Sequence, residues 1–249
     1  MKKLLELKDV SLIYQTKTDE IVAIDGLNFS VKQGDFVSII GPSGCGKTTI
    51  LSLIAGLIAP SKGEINYYGE NDKDKSIGYM LQKDQLFPWR TIEKNIYLPL
   101  EIKKIKNSEN KKYALSLLDK YGLGNFKNNY PDQLSGGMRQ RVALIRTLVF
   151  KPDLLLLDEP FSALDYQTRL SVCDDVYNII KEEKKTTILV THDISEAISV
   201  SDEIIVLSER PAKVKFIEKP ELGGGSPLKR RESKNFGVWF EKIWKELNQ

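Results

Sequence analysis

The eight residues Gly41-Pro42-Ser43-Gly44-Cys45-Gly46-Lys47-Thr48 fit the glycine-rich phosphate-loop pattern G-x-x-x-x-G-K-[ST] without a gap. They constrain the fold more than any other stretch, because such a loop works only where a strand hands over to a helix. The flanks supply both. Phe36-Val37-Ser38-Ile39-Ile40 is an apolar, β-prone run of buried-strand length, and residues 49–57 carry apolar side chains at helical spacing, with Thr49 in the first turn. Glycines let the backbone wrap a phosphate closely, and successive N–H groups together with the positive end of the following helix attract the anion. In that setting Lys47 reaches the β- and γ-phosphates and the Thr48 hydroxyl helps to hold Mg²⁺. The loop predicts a nucleoside triphosphate site in an α/β fold.

A chain of 249 residues has room for one large domain, or for a domain with an appendage. Its 37 basic and 34 acidic groups leave a net charge of +3, too near balance to argue for nucleic acid binding. Cys45 and Cys173 are the only cysteines, far apart and one of them inside the loop, so a disulfide framework is not expected and a reducing compartment fits. The start, Met1-Lys2-Lys3-Leu4-Leu5, imitates a signal peptide until Glu6, Lys8 and Asp9 break the apolar run. No stretch approaches the length of apolar chain that crosses a bilayer. A membrane role would therefore need a partner to supply the crossing.

Residues 4–14 and 21–31 read as two strands of an antiparallel hairpin, with Tyr14 closing the first. After the loop helix, a turn at residues 60–63 leads to a strand over 64–68, and a short strand over 77–81 ends at Gln82, a polar group on the edge of the site. From residue 88 the character becomes helical: Thr91 opens one helix to about Lys104, and Asn107-Ser108 caps a second to Tyr121. The cluster Leu86-Phe87-Pro88-Trp89 lies in a loop and either folds onto its own core or marks a contact surface. Further on, Ser135 is an N-cap before Gly136-Gly137, either an ordinary cap or a second anion site.

Leu154-Leu155-Leu156-Leu157 lacks alternation and reads as a fully buried strand ending in Asp158-Glu159-Pro160. Adjacent carboxylates at such a place are costly unless something cationic faces them, which assigns Asp158 to Mg²⁺ and Glu159 to an attacking water. An amphipathic helix over 168–181 and a buried strand over 186–191 follow, and His192, the single histidine, stands at that strand's end. Open parallel sheets bind ligands at the carboxyl ends of their strands, where Gln82, Asp158 and His192 all fall. Strands over 202–207 and 212–218 come next. A flexible link over 221–234 then leads to a terminal amphipathic helix over 235–249, whose stripe of Phe236, Phe240, Ile243, Trp244 and Leu247 is suited to docking on the core, with a separate membrane-surface role as the alternative.

Together these pieces resemble the ATP-binding subunits of ABC transporters, over nearly the whole chain from Leu4 to Glu218. Gly41 to Thr48 resembles the Walker A loop and residues 154–158 the Walker B strand, with Glu159 as the catalytic carboxylate. Leu134-Ser135-Gly136-Gly137-Met138-Arg139-Gln140 resembles the signature segment. Tyr14 resembles the aromatic that stacks on adenine, Gln82 the Q-loop residue that also approaches the metal, Ser162-Ala163-Leu164-Asp165 the D-loop, and His192 the switch histidine. The resemblance implies a P-loop NTPase (RecA-like) core with an antiparallel β subdomain and a helical insertion over about 88–151, all within an ATPase domain spanning 1–220.

It also implies ATP and Mg²⁺ as ligands, and a head-to-tail homodimer in which ATP on one Walker A loop is covered by Ser135 and Gly137 of the other copy. Catalysis would rest on Lys47, Gln82, Glu159 and His192. Separate transmembrane permease subunits would grip the surface near Gln82 to Trp89 on the cytoplasmic face of the membrane, and an extracytoplasmic solute-binding protein would act indirectly. Tyr130-Pro131-Asp132-Gln133 is similar to importers. The stretches Leu86-Phe87-Pro88-Trp89-Arg90-Thr91 and Ser208-Glu209-Arg210-Pro211-Ala212-Lys213-Val214 are similar to the branch serving nitrate, sulfonate and taurine. The rival is a soluble ABC ATPase acting on nucleic acid or in translation. It would carry a long coiled coil between Gln82 and Ser135, or a second ATPase domain, and the sequence offers neither.

Overall fold

Alternate residues of the buried strands serve different cores, and this decides the layering. The computed structural model describes residues 2–16, 18–68 and 76–247. Strands β1 (Lys3–Gln15) and β2 (Glu20–Lys32) form the expected hairpin, and β4 (Lys62–Tyr67) joins the other edge of β1 to complete a three-stranded antiparallel sheet. A second sheet has the order β5-β6-β7-β3-β8-β9, from β5 (Ile77–Met80), β6 (Leu154–Asp158), β7 (Thr186–Val190), β3 (Phe36–Ile40), β8 (Glu203–Leu207) and β9 (Val214–Glu218). All its pairs are parallel except β8 with β9.

In β6, Leu154 and Leu156 join a core shared with the antiparallel sheet and with α1 (Lys47–Ile54), while Leu155 and Leu157 face a second core built on the helices. Those helices are α2 (Ile92–Ile102), α3 (Ser108–Lys120), α4 (Gly136–Leu148) and α5 (Tyr166–Glu182), the first two capped by Thr91 and Asn107 as expected. The buried amide of Asn95 donates to the carbonyls of Phe87, Arg90 and Thr91 and accepts from Phe87 N, which pins the loop before α2.

Several boundaries differ from the sequence expectation. Helix α1 stops at Ile54 because Gly56 takes φ +72°, a left-handed stop, where the apolar repeat had suggested 57. Strand β4 starts two residues early, at Lys62. Its Gly63 lies against β1 so closely that a Cβ would sit 2.2 Å from the Asp9 carbonyl oxygen, and no other residue fits there. Helix α5 starts at Tyr166, since Asp165 is the cap and accepts from Thr168 N. Helix α6 (Ile194–Val200), capped by Asp193, was not foreseen, its seven residues being too short for a periodic signal.

The link over 221–234 also needs correcting in its second half. Helix α7 (Pro227–Arg231) forms there, with Arg230 buried and donating from Nη2 to the Ser201 carbonyl at 2.6 Å. In the terminal helix α8 (Phe236–Leu247), Ile243 is fully buried in a third core with α6, and Phe236, Trp239, Phe240 and Leu247 pack around it. Trp244 falls on the flank of that seam at 100° per residue, and is 55% exposed with its ring stacked on Phe240. Trp239 takes the place the sequence stripe gave to Trp244. Residues 248–249 of the expected helix lie outside the described residues. Among the described residues no helix is long and apolar enough to cross a membrane.

Candidate active site

The carboxyl ends of four adjacent strands, β5, β6, β7 and β3, deliver Gln82, Asp158 with Glu159, His192 and the glycine-rich loop to one edge of the parallel sheet. The order follows from register: Met80 pairs with Leu157, Asp158 with Val190, and Ile39 with Val190. The loop runs from Gly41 to Gly46, whose φ of +119° is open to glycine and lets the chain turn straight into α1. Gly41 is held closely: a Cβ there would meet Cys45 Sγ and Leu207 Cβ at 3.0 Å each. Ser43, Gly44 and Thr48 are exposed, Pro42 is half-buried, and Thr49 sits in the first turn of α1. The Lys47 ammonium folds inward and donates to the carbonyls of Gly41 (2.8 Å) and Pro42 (2.9 Å).

Asp158 is 5% exposed, and burial is the main cause that holds its carboxyl above the usual carboxylate range. Thr48 Oγ1 donates to its Oδ1 at 3.1 Å, and the Tyr79 hydroxyl lies 3.5 Å from Oδ2. Burial, helped by that carboxylate, pushes the Tyr79 phenol up to about 12. Glu159 takes φ +43°, a costly conformation for a residue with a Cβ, while its N–H donates to the Val190 carbonyl across to β7. Its carboxylate is a meeting point. Oε2 lies 3.1 Å from His192 Nδ1 and 3.4 Å from Gln82 Nε2, and Gln82 also reaches Ser162 Oγ at 3.2 Å. Gln82 thus contacts Glu159 and Ser162, not the Thr48–Asp158 pair to which the sequence reading had also attached it.

The segment 134–140 sits on the helical side of the molecule. Ser135 caps α4 by accepting from Met138 N, and Arg139 donates from Nη1 to the Leu134 carbonyl and from Nε to Asp84. Both glycines are set by packing: a Cβ on Gly137 would meet Val172 at 2.7 Å, and one on Gly136 would meet Leu164 at 3.1 Å. Gln140 is buried. The segment's hydrogen bonds among the described residues go to its own turn and to Asp84, with none to the loop 41–48 of the same chain.

In the stretch 162–165, Ser162 donates to the Glu159 carbonyl, Ala163 is exposed, Leu164 is buried, and Asp165 caps α5. Tyr14 is 42% exposed at the tip of the hairpin, opposite Ile21. Trp89 is 71% exposed, its ring tilted 36° against Phe87 at 5.0 Å between centroids. Sequence reasoning did not find Tyr79, three residues ahead of Gln82 on β5, nor Asp84, the partner of Arg139. Neither carries a spacing signal, because each acts through a contact distant in sequence, Tyr79 with Asp158 on β6 and Asp84 with Arg139 on α4.

A profile described as ABC transporter matches residues 24–162, more than half of the chain. The chain belongs to the ABC transporter family. It is 48% identical to the uncharacterized ABC transporter ATP-binding protein YtlC of Bacillus subtilis over 98% of this chain and 95% of that one. To the aliphatic sulfonates import ATP-binding protein SsuB of Bacillus cereus it is 42% identical, covering 98% and 94%. Its fold matches the dimeric, post-hydrolysis structure of the ATP-binding cassette MJ0796 bound to ADP and Pi, with a TM-score of 0.72 and 34% identity over 88% of this chain and 99% of that one.

The ABC cassette fold and ATPase activity expected from the sequence are therefore borne out, as is the likeness to sulfonate importers. The import ATP-binding relatives do not favour the nucleic acid and translation alternative.

Proposed function

We propose that this ABC ATPase powers an importer for a small anionic solute of the sulfonate kind, as a head-to-tail homodimer on the cytoplasmic face of the membrane. The observation that carries the reading is the Glu159 carboxylate, held at once by His192 and Gln82 beside the Thr48–Asp158 pair. Phosphoryl transfer to water needs positioning and charge stabilisation more than covalent chemistry. Glu159 orients the water and receives its proton, while His192 contacts the γ-phosphate. Lys47 leaves the loop carbonyls to meet the β- and γ-phosphates. Tyr14 stacks on the adenine, the N–H groups of residues 41–49 cradle the phosphates, and Gln82 links the γ-phosphate end to the surface around Trp89.

A buried carboxylate hydrogen-bonded to an exposed hydroxyl is a hard oxygen pair of the kind Mg²⁺ takes when phosphates and water complete its shell. Asp158 and Thr48 would hold the ion, which when bound neutralises charge between the β- and γ-phosphates.

Ser135 and Gly137, distant in their bonding from their own loop, supply the second half of the pocket to the partner copy, with Ser162 to Asp165 at the same seam. The dimeric state of the related cassette supports this. The exposed Trp89 and its loop, locked by Asn95, offer the permease a rigid contact. The sulfonate class rests on the SsuB relative and on the resemblance of residues 86–91 and 208–214. The solute-binding protein meets the permease, and no nucleic acid is involved. Glu159→Gln tests the core of the reading: turnover disappears while ATP binding remains and a dimer accumulates. Turnover near the wild-type rate refutes the role of Glu159.

A further inference from the structure

Arg169, in the first turns of α5, touches neither the loop nor Glu159, yet it joins the two segments that frame them. Its Nη2 donates to the Leu164 carbonyl at 2.9 Å, inside the stretch 162–165. On its other side Nη1 lies 3.8 Å from Asp193 Oδ2, and Nε lies 4.0 Å from Glu196 Oε1. That Nε is buried without a hydrogen-bond partner, so the guanidinium is held by charge as well as by its one close bond. Asp193 and Glu196 in turn fix the residues on both sides of His192. Thr191 Oγ1 donates to Glu196 Oε2 at 2.7 Å and accepts from Asp193 N at 3.0 Å, while Asp193 Oδ1 caps α6 at Ser195 N and Glu196 N.

The contacts close a ring. It runs from Glu159 through Ser162 to Leu164, across Arg169 to Asp193 and Glu196, through Thr191 to His192, and back to Glu159 over 3.1 Å. His192 itself is largely exposed, its ring meeting Glu159 alone among the contacts above, while the residues on both sides of it are tied down. The Arg169 side chain is a quarter exposed with its Nε buried, and a partly desolvated cation facing two carboxylates is often no more stabilising than an apolar replacement, so what it contributes is geometry. We propose that Arg169 is a positioning residue for the ATPase reaction: it sets the distance between the 162–165 segment and His192, and so holds the imidazole against Glu159. The proposal rests on the reading of Glu159 and His192 given above.

Because His192 is the only histidine, its imidazole Cε1–H signal in histidine-labelled full-length protein needs no assignment. Arg169→Met moves or broadens that signal without nucleotide. It lowers kcat by about tenfold to a hundredfold, the scale of a small misplacement of a reacting group. The KM for ATP stays within about twofold, because ground-state binding is untouched. Arg169→Lys restores part of the loss, and Arg169→Met costs much less in a His192→Ala background than alone. Should Arg169→Met not fold, Glu196→Gln, which keeps the volume and the Thr191 partner, moves the signal in the same way.

An unchanged imidazole signal in the folded variants overturns the proposal, as does a loss of kcat that multiplies in full with that of His192→Ala. If Glu159→Gln and His192→Ala both turn over ATP normally, the reading of the site fails instead, and the imidazole signal still reports on the brace.

Discussion

Gly137→Ala sets two effects of similar size against each other, and the structure decides the sign. Gly137 is the second residue of α4, where alanine gains at most the helix-interior advantage over glycine of about 1 kcal/mol. Against this, the new methyl would stand 2.7 Å from Val172 Cγ2, well inside the 3.5–4.0 Å of a relaxed carbon pair, with Thr168 Cγ2 at 3.4 Å closing the other side. Val172 is buried and β-branched, so its χ1 cannot swing clear, and overpacking of this kind costs about 1–3 kcal/mol. The net expectation is a loss of about 1 kcal/mol for the nucleotide-free chain, read as a lower urea midpoint at unchanged slope. In a Val172→Ala background the obstructing methyl is gone, and the same substitution becomes neutral or stabilising, which exposes the coupling directly. If Gly137→Ala by itself raises the midpoint, helix propensity has won and the tight seating of α4 on α5 is wrong.

Asp158→Asn should stabilise the nucleotide-free protein at neutral pH by about 0.5–2 kcal/mol, the range of a typical repaired site, while removing ATP turnover. Burial raises the folded-state pKa of Asp158, so the stability it contributes is present below its unfolded value and lost as pH rises through the folded one. The gain from the amide should therefore shrink on acidification, and a gain independent of pH would contradict the cause given. Cys45 should resist alkylation in the folded chain, because its thiol is 2% exposed and burial pushes its pKa up. This reverses what its place in an exposed-looking loop suggests, and labelling as fast as in urea would refute it.

The loop 41–48, the buried strands β3, β6 and β7, and the caps at Thr91, Asn107 and Ser135 were legible because each is a local pattern whose physics is complete within about ten residues. The stripe of α8 was legible in kind but not in detail: Phe236 and Ile243 fixed the seam, while the exchange of Trp244 for Trp239 depended on which flank of that stripe packs into the core shared with α6. Helix α7 lay hidden because its anchor, Arg230 on the Ser201 carbonyl, is a contact 29 residues distant between two polar groups. Tyr79 and Asp84 escaped for the same reason. Gln82, Glu159 and His192 could be named singly, yet their convergence on one carboxylate oxygen is a property of strand order, which no single segment encodes.

The central claim is that each pocket is shared between two copies, and subunit mixing tests it most directly. Lys47→Ala removes the loop half of a site and Ser135→Arg the covering half, so neither variant alone turns over ATP. Mixed in equal amounts, they form head-to-tail pairs in which one of the two sites is built entirely of intact residues, and turnover returns to at most roughly a quarter of the wild-type value for random pairing. A mixture as inactive as its two components, with exchange of subunits demonstrated, would contradict the account.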